Sequence, residues 1–236
     1  MIARPAAGGY GARMNNHLRL PVLVPAVLAA VVLAIAACDS GSRAPVETAI
    51  DTATTPTVAS SIPADAFMAD IATLCGQAFA GTVVADTPAP TGADPFAGKP
   101  LVMHVRECST EEIRIPFHVG DDRSRTWVLT RTDAGLRLKH DHRHADGSDD
   151  AITAYGGDTA SAGTATRQEF PVDAESVAMF TAADMTASNT NTWAMEIEPG
   201  EAFVYELSRP GGRLFRVRFD LASPVATPPA PWGADD

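Results

Sequence analysis

The chain has 236 residues, 45% of them apolar, 20% charged and 6% aromatic, and 18 Lys and Arg stand against 29 Asp and Glu for a formal net charge of -11. That composition can bury a core and excludes collagen-like, coiled-coil and wholly disordered classes. The acidic balance argues against a nucleic-acid partner, which selects clustered Lys and Arg, and three cysteines exclude a disulfide-dense miniprotein.

Residues 20–37 form an uncharged, apolar run preceded by Arg4, Arg13 and Arg19 and by no acid. A basic segment followed by an apolar one is the pattern of an export signal. Its 18 residues are also just enough to span a bilayer as an uncleaved helix. Either reading sends residue 39 onward out of the cytoplasm. The signal is more compact if the chain starts at Met14 rather than at Met1. At its end, Ile35-Ala36-Ala37-Cys38 resembles the lipobox of bacterial lipoproteins. The resemblance implies cleavage before Cys38 and lipidation of its thiol and new N-terminus, with palmitate among the acyl groups. Such chains anchor stably at about 0.8 kcal/mol per buried CH₂. It further implies a mature domain in the periplasm, held to a membrane of the bacterial cell envelope. Asp39 resembles an inner-membrane retention signal. Removing residues 1–37 removes three arginines and no acid, so 15 basic residues remain against 29 acidic ones, a net -14. So acidic a body is repelled by anionic headgroups.

Residues 38–62, rich in Ser, Thr, Ala and Pro, read as a lipidated flexible tether. Residues 63–222 have the size of one domain. In that domain Phe67, Ile71, Leu74, Cys75 and Ala78 share one helical face, with Pro63 in the first turn and Gly81 as the stop. The period then changes to two. Strands are expected near 82–85, 101–106, 112–119, 126–131, 136–143, 151–155, 164–170, 193–198, 202–208 and 214–221. A second helix is expected at 173–183, with Asp173 as its N-cap. Asp133-Ala-Gly135, Asp146-Gly147, Gly156-Gly157, Pro199-Gly200 and Pro210-Gly211-Gly212 read as turns. So many short hairpins predict a mainly β fold. The expected architecture is an antiparallel meander closing as a lipocalin-like barrel, or a two-sheet sandwich, with an N-terminal helix and one inserted helix. Residues 223–236 hold Pro224, Pro228, Pro229 and Pro231 and read as an extended tail. In that tail Trp232 either docks back on the domain, the favoured reading, or awaits a partner.

With Cys38 assigned to lipid, Cys75 and Cys108 remain as an even pair in an oxidising compartment, and a disulfide between them is expected. Neither has a base nearby in sequence that would lower its pKa for catalysis.

One segment could carry chemistry. Leu136, Leu138, His140 and His142 fall on one side of a strand, with His144 next in the row and Arg137, Lys139, Asp141 and Arg143 opposite. Two histidines at i and i+2 can share a zinc or copper ion. His144 or His104 would be a third ligand, and Asp146, Asp149 and Asp150 an outer set. The competing reading makes these histidines hydrogen-bonded members of a barrel rim. Trp127, Trp193 and Tyr205 fall in strands and read as core or pocket lining. No G-x-S-x-G, phosphate-loop, H-E-x-x-H or dinucleotide motif is present. The run from His140 to Gly147 and the Pro228-Pro229-Ala230-Pro231-Trp232-Gly233 end are similar to segments of secreted bacterial proteins with no known activity. That resemblance carries over no functional residues. The expected role is a lipid-anchored, non-enzymatic β-domain that binds a small ligand or an envelope protein, with a metal-binding domain or metalloenzyme as the alternative.

Overall fold

A computed structural model describes residues 62–234. The expected export signal, the lipidated Cys38 and all but the last residue of the expected tether lie outside the described residues. Helix α1 spans Ile62–Ala72. It is followed by β1 (Ala78–Thr87), β2 (Leu101–His104), β3 (Glu107–Cys108), β4 (Glu112–Val119), β5 (Asp122–Thr132), β6 (Gly135–His142), β7 (Tyr155–Asp158) and β8 (Arg167–Pro171). Helix α2 (Ala174–Ala182) and a short 3-10 turn (Thr186–Thr190) precede β9 (Thr192–Glu198), β10 (Ala202–Arg209) and β11 (Arg213–Val225). No described helix is long and apolar enough to cross a membrane.

The strands form one antiparallel sheet in the order β7-β6-β5-β4-β2-β1-β11-β10-β9-β8, with β3 paired to β4 at the side. The sheet curls until its two end strands lie beside each other, so the fold is a nearly closed barrel. Alternation explains the curl. Ile113, Ile115 and Phe117 of β4, Trp127 and Leu129 of β5, Leu136 and Leu138 of β6 and Phe215, Val217 and Phe219 of β11 all point inward and are buried. Outward residues pair across strands instead. Arg216 reaches Glu196 at 2.6 Å and Glu206 at 2.8 Å, and Arg167 reaches Glu206 at 3.0 Å and also pairs with Glu196. This network ties β8, β9, β10 and β11 together on the outer surface. Helix α1 closes one end of the barrel. Phe67, Met68 and Ile71 enter the core, and Asp65 pairs with Arg131 at the end of β5.

Two local expectations are corrected. The opening helix stops at Ala72 and the chain turns at Gly76, not Gly81. Gly76 has φ +79°, a conformation glycine adopts freely, and its N–H reaches Val105 O at 2.7 Å. Ala78 therefore belongs to β1. Gly81 lies within that strand, where a Cβ would stand 2.6 Å from the Phe219 ring. Likewise Gly156-Gly157 is not a turn. It lies in β7, at 155–158 rather than 151–155. A Cβ on Gly157 would stand 1.8 Å from Pro171 O of β8, and one on Gly156 would stand 1.8 Å from Leu138 O of β6. Gly157 lets the two end strands approach, and Gly156 lets β7 lie close on β6.

That seam is stitched by the start of α2. Asp173 caps the helix by accepting from the Ser176 N–H at 2.7 Å, as the sequence predicts. The Asp173 N–H donates to Gly156 O at 2.9 Å, and Gly156 N–H donates to the Ser176 hydroxyl at 2.8 Å.

Two further features bear on stability. Cys75 and Cys108 are at disulfide distance, 2.05 Å between sulfurs, and connect the turn after α1 to β3. The proline-rich tail docks back on the outer wall. Trp232 N–H donates to Arg123 O at 3.1 Å, Arg123 donates to Ala230 O at 2.9 Å, and Ala230 is buried.

Candidate ligand cavity

The end of the barrel opposite α1 holds a cavity of about 160 Å³. Register builds it. Cross-strand pairing sets Phe117 beside Arg125 and Arg125 beside His142, one level above the pair Trp127 and His140. On the far wall Leu207 pairs with Phe215, one level above Tyr205 and Val217. Trp127, His140 and Tyr205 thus lie deeper, and Phe117, Arg125, His142, Leu207 and Phe215 lie nearer the opening. The loop between β1 and β2 lays Phe96 across that opening. Its ring lies 4.8 Å from Phe215 and 6.2 Å from Phe117, centroid to centroid. Arg213 stands beside it with its guanidinium carbon 5.9 Å from the Phe215 ring centre.

The polar groups of the cavity form two connected pairs. His140 is 3% exposed. Its Nδ1 lies 3.1 Å from the carbonyl of Tyr155 and its Nε2 lies 2.8 Å from the hydroxyl of Tyr205. A carbonyl only accepts, so Nδ1 carries the proton and donates. Nε2 is then the acceptor, and the Tyr205 O–H donates to it. The Trp127 indole stacks on the Tyr205 ring, centroids 4.4 Å apart. Burial pushes His140 down to about 3, assisted by His142 nearby, so the ring is neutral. Burial also holds Tyr205 well above the usual tyrosine range. Tyr155 stacks on His140 with centroids 4.7 Å apart.

Nearer the opening, Tyr155 and His142 form the second pair, hydroxyl to Nε2 at 3.1 Å. Burial, and then the Arg125 guanidinium, push His142 below the ordinary histidine range. Burial raises Tyr155 to about 12. Both groups are therefore uncharged at neutral pH. Arg125 is oriented by Asp122, which accepts from its Nη1 at 2.6 Å. Arg213 is oriented by Asp86 and donates from the same Nη1 to Pro88 O at 3.2 Å.

Of the residues singled out in the sequence, the structure brings together His140, His142, Trp127 and Tyr205. The inward row runs on from Leu136 and Leu138 as the alternation predicts. His144 is not part of it. It lies beyond β6 with its side chain 57% exposed, 4.0 Å from Asp150. His104 and His118 are buried on a different part of the sheet, where they influence each other. His118 there lines a separate hollow beneath Pro228 and Pro229. Among the described residues no three His, Cys, Asp or Glu side chains are placed to hold a metal. Both His140 ring nitrogens are engaged by protein groups, so the HxHxH segment does not form the expected three-histidine site.

Sequence reasoning passed over Arg125, Arg213, Tyr155 and Phe96. Two of them carried a signal: Arg125 has the parity of Trp127, and Arg213 that of Phe215, so each belongs to an inward row. Tyr155 was hidden by the reading of its neighbours as a turn, and nothing local marks Phe96. Comparison of the chain with protein-family models, with curated proteins and with solved structures finds no match in any of the three.

Proposed function

We propose that the protein is a lipid-anchored binding domain of the bacterial cell envelope that receives a small molecule in the open end of its barrel. One observation carries the binding part: a cavity of about 160 Å³, walled by aromatic rings and holding a few convergent polar groups, at the barrel end opposite α1. Apolar hollows with few, placed polar groups are where proteins bind small ligands. The export part rests on the arginines before residue 20, the apolar run 20–37 and the lipobox-like Ile35-Ala36-Ala37-Cys38.

The cavity test is a ligand-observed NMR screen of water-soluble compounds from aliphatic to aromatic, run on the protein and on Leu207→Trp. Leu207 lines the cavity, so an indole there fills it. Saturable binding by the protein that disappears in Leu207→Trp, with the amide spectrum still dispersed, supports the reading. Equal binding by both, or by neither, overturns it. For the anchor, incorporation of labelled palmitate that is lost in Cys38→Ser is the expected result.

A further inference from the structure

We infer that the occupant of this cavity is a monocyclic aromatic carboxylate. The inference rests on the binding reading above and adds the chemical class. Three observations converge on it.

Size sets the first limit. An apolar cavity of about 150 Å³ accepts one benzene ring, and the hollow here measures about 160 Å³. The volume matches a single ring. Shape sets the second. Phe96, Phe117, Trp127, Tyr155, Tyr205 and Phe215 line the space, and aromatic walls favour a flat guest that stacks or meets their edges.

The third is polarity at the opening. Two arginines, Arg125 and Arg213, line one small hollow from opposite sides of the barrel, β5 and β11. Asp122 holds Arg125 through Nη1, and Asp86, with the carbonyls of Thr87 and Pro88, holds Arg213 through Nη1. Among the described residues the Nε and Nη2 donors of both guanidiniums have no hydrogen-bond partner. Each arginine is thus fixed by an acid while one side of its donor fork is left over. That arrangement suits a carboxylate, which takes two parallel N–H bonds from a guanidinium. The Tyr155–His142 pair adds a neutral donor. When His142 carries its proton on Nε2 it donates to the Tyr155 oxygen, and the tyrosine O–H is released towards the ligand. A cationic guest would meet two guanidiniums, and a plain hydrocarbon would cover their donors without replacing water.

The experiment is calorimetric titration of the purified protein with benzoate, benzamide and cyclohexanecarboxylate at pH 7.5. Benzoate is expected to bind at least tenfold more tightly than either of the others. Arg125→Met and Arg213→Met are expected to remove that tenfold preference while leaving the weaker benzamide binding in place, which also reports that each variant is folded. Equal affinity for benzoate and benzamide overturns the carboxylate assignment and leaves the cavity as a binding site. Equal affinity for benzoate and cyclohexanecarboxylate overturns the aromatic one. Absence of binding by all three, beside a hit from another class in the NMR screen, overturns the class alone. Absence in both experiments overturns the class together with the reading beneath it.

Discussion

The Tyr205 hydroxyl donates to Nε2 of His140 across 2.8 Å, and this bond runs through the barrel interior from β10 to β6, strands that are not neighbours in the sheet. It therefore fixes the separation of two walls as well as the tautomer of a ring. Trp127 and Tyr205 stack 4.4 Å apart beside it, so the deep part of the cavity is tightly packed.

Replacing Tyr205 by Phe keeps the ring and removes the donor. His140 Nε2 is then a buried acceptor without a partner, which costs about 1–3 kcal/mol. Urea denaturation should show the loss as a lower midpoint with an unchanged slope. An unchanged midpoint would mean that water reaches the ring.

Acid should weaken the fold before its carboxylates titrate. Burial lowers His140 to about 3, His118 to about 4, and also lowers His104 and His142. In the unfolded chain these rings protonate near the ordinary histidine value of about 6.5. As pH falls below that value the unfolded state binds protons that the folded state refuses. Stability is thus full above about pH 6.5 and declines on the way to pH 4, by up to about 1.4 kcal/mol per pH unit for each such histidine. Calorimetry in buffers of different ionisation enthalpy should record net proton uptake on unfolding at pH 5. Zero uptake there would falsify the buried, neutral assignment.

Gly157→Ala tests the seam. Its Cβ would stand 1.8 Å from Pro171 O, a backbone atom that can move only if β7 and β8 separate. The expected loss is about 3 kcal/mol or more, in the range of backbone and overpacking defects. Exchange of the Asp173 and Gly156 amides should accelerate, because their bonds hold the same seam. A variant with the parent melting temperature would show that the end strands are not tightly apposed.

The Cys75–Cys108 link closes a loop with a sequence separation of 33. In the chain-entropy account, removing it with the double Ala variant costs about 3–4 kcal/mol. Thiol titration of the unreduced, denatured protein should find neither sulfur reactive, and two reactive thiols would refute the bond.

Whatever depends on local period is legible along the chain. Alternation assigned the inward rows of β4, β6, β10 and β11, including the continuation of Leu136 and Leu138 into His140 and His142. Local hydrogen-bonding chemistry assigned Asp173 as the cap of α2, and parity of count paired Cys75 with Cys108. The rest follows from contacts between elements distant along the chain. Glycine lacks a Cβ both where a chain turns and where two backbones meet, and sequence does not separate these cases. Gly81 and Gly156-Gly157 therefore read as a stop and a turn, whereas both lie within strands and Gly76 makes the turn. The cavity was out of reach for a related reason. Parity says which side of a strand a residue occupies, but not its height in the barrel or what lies across from it. Those depend on the stagger of eleven strands, and that stagger sets Arg213 near Arg125, Tyr205 against His140 and Phe96 over the opening.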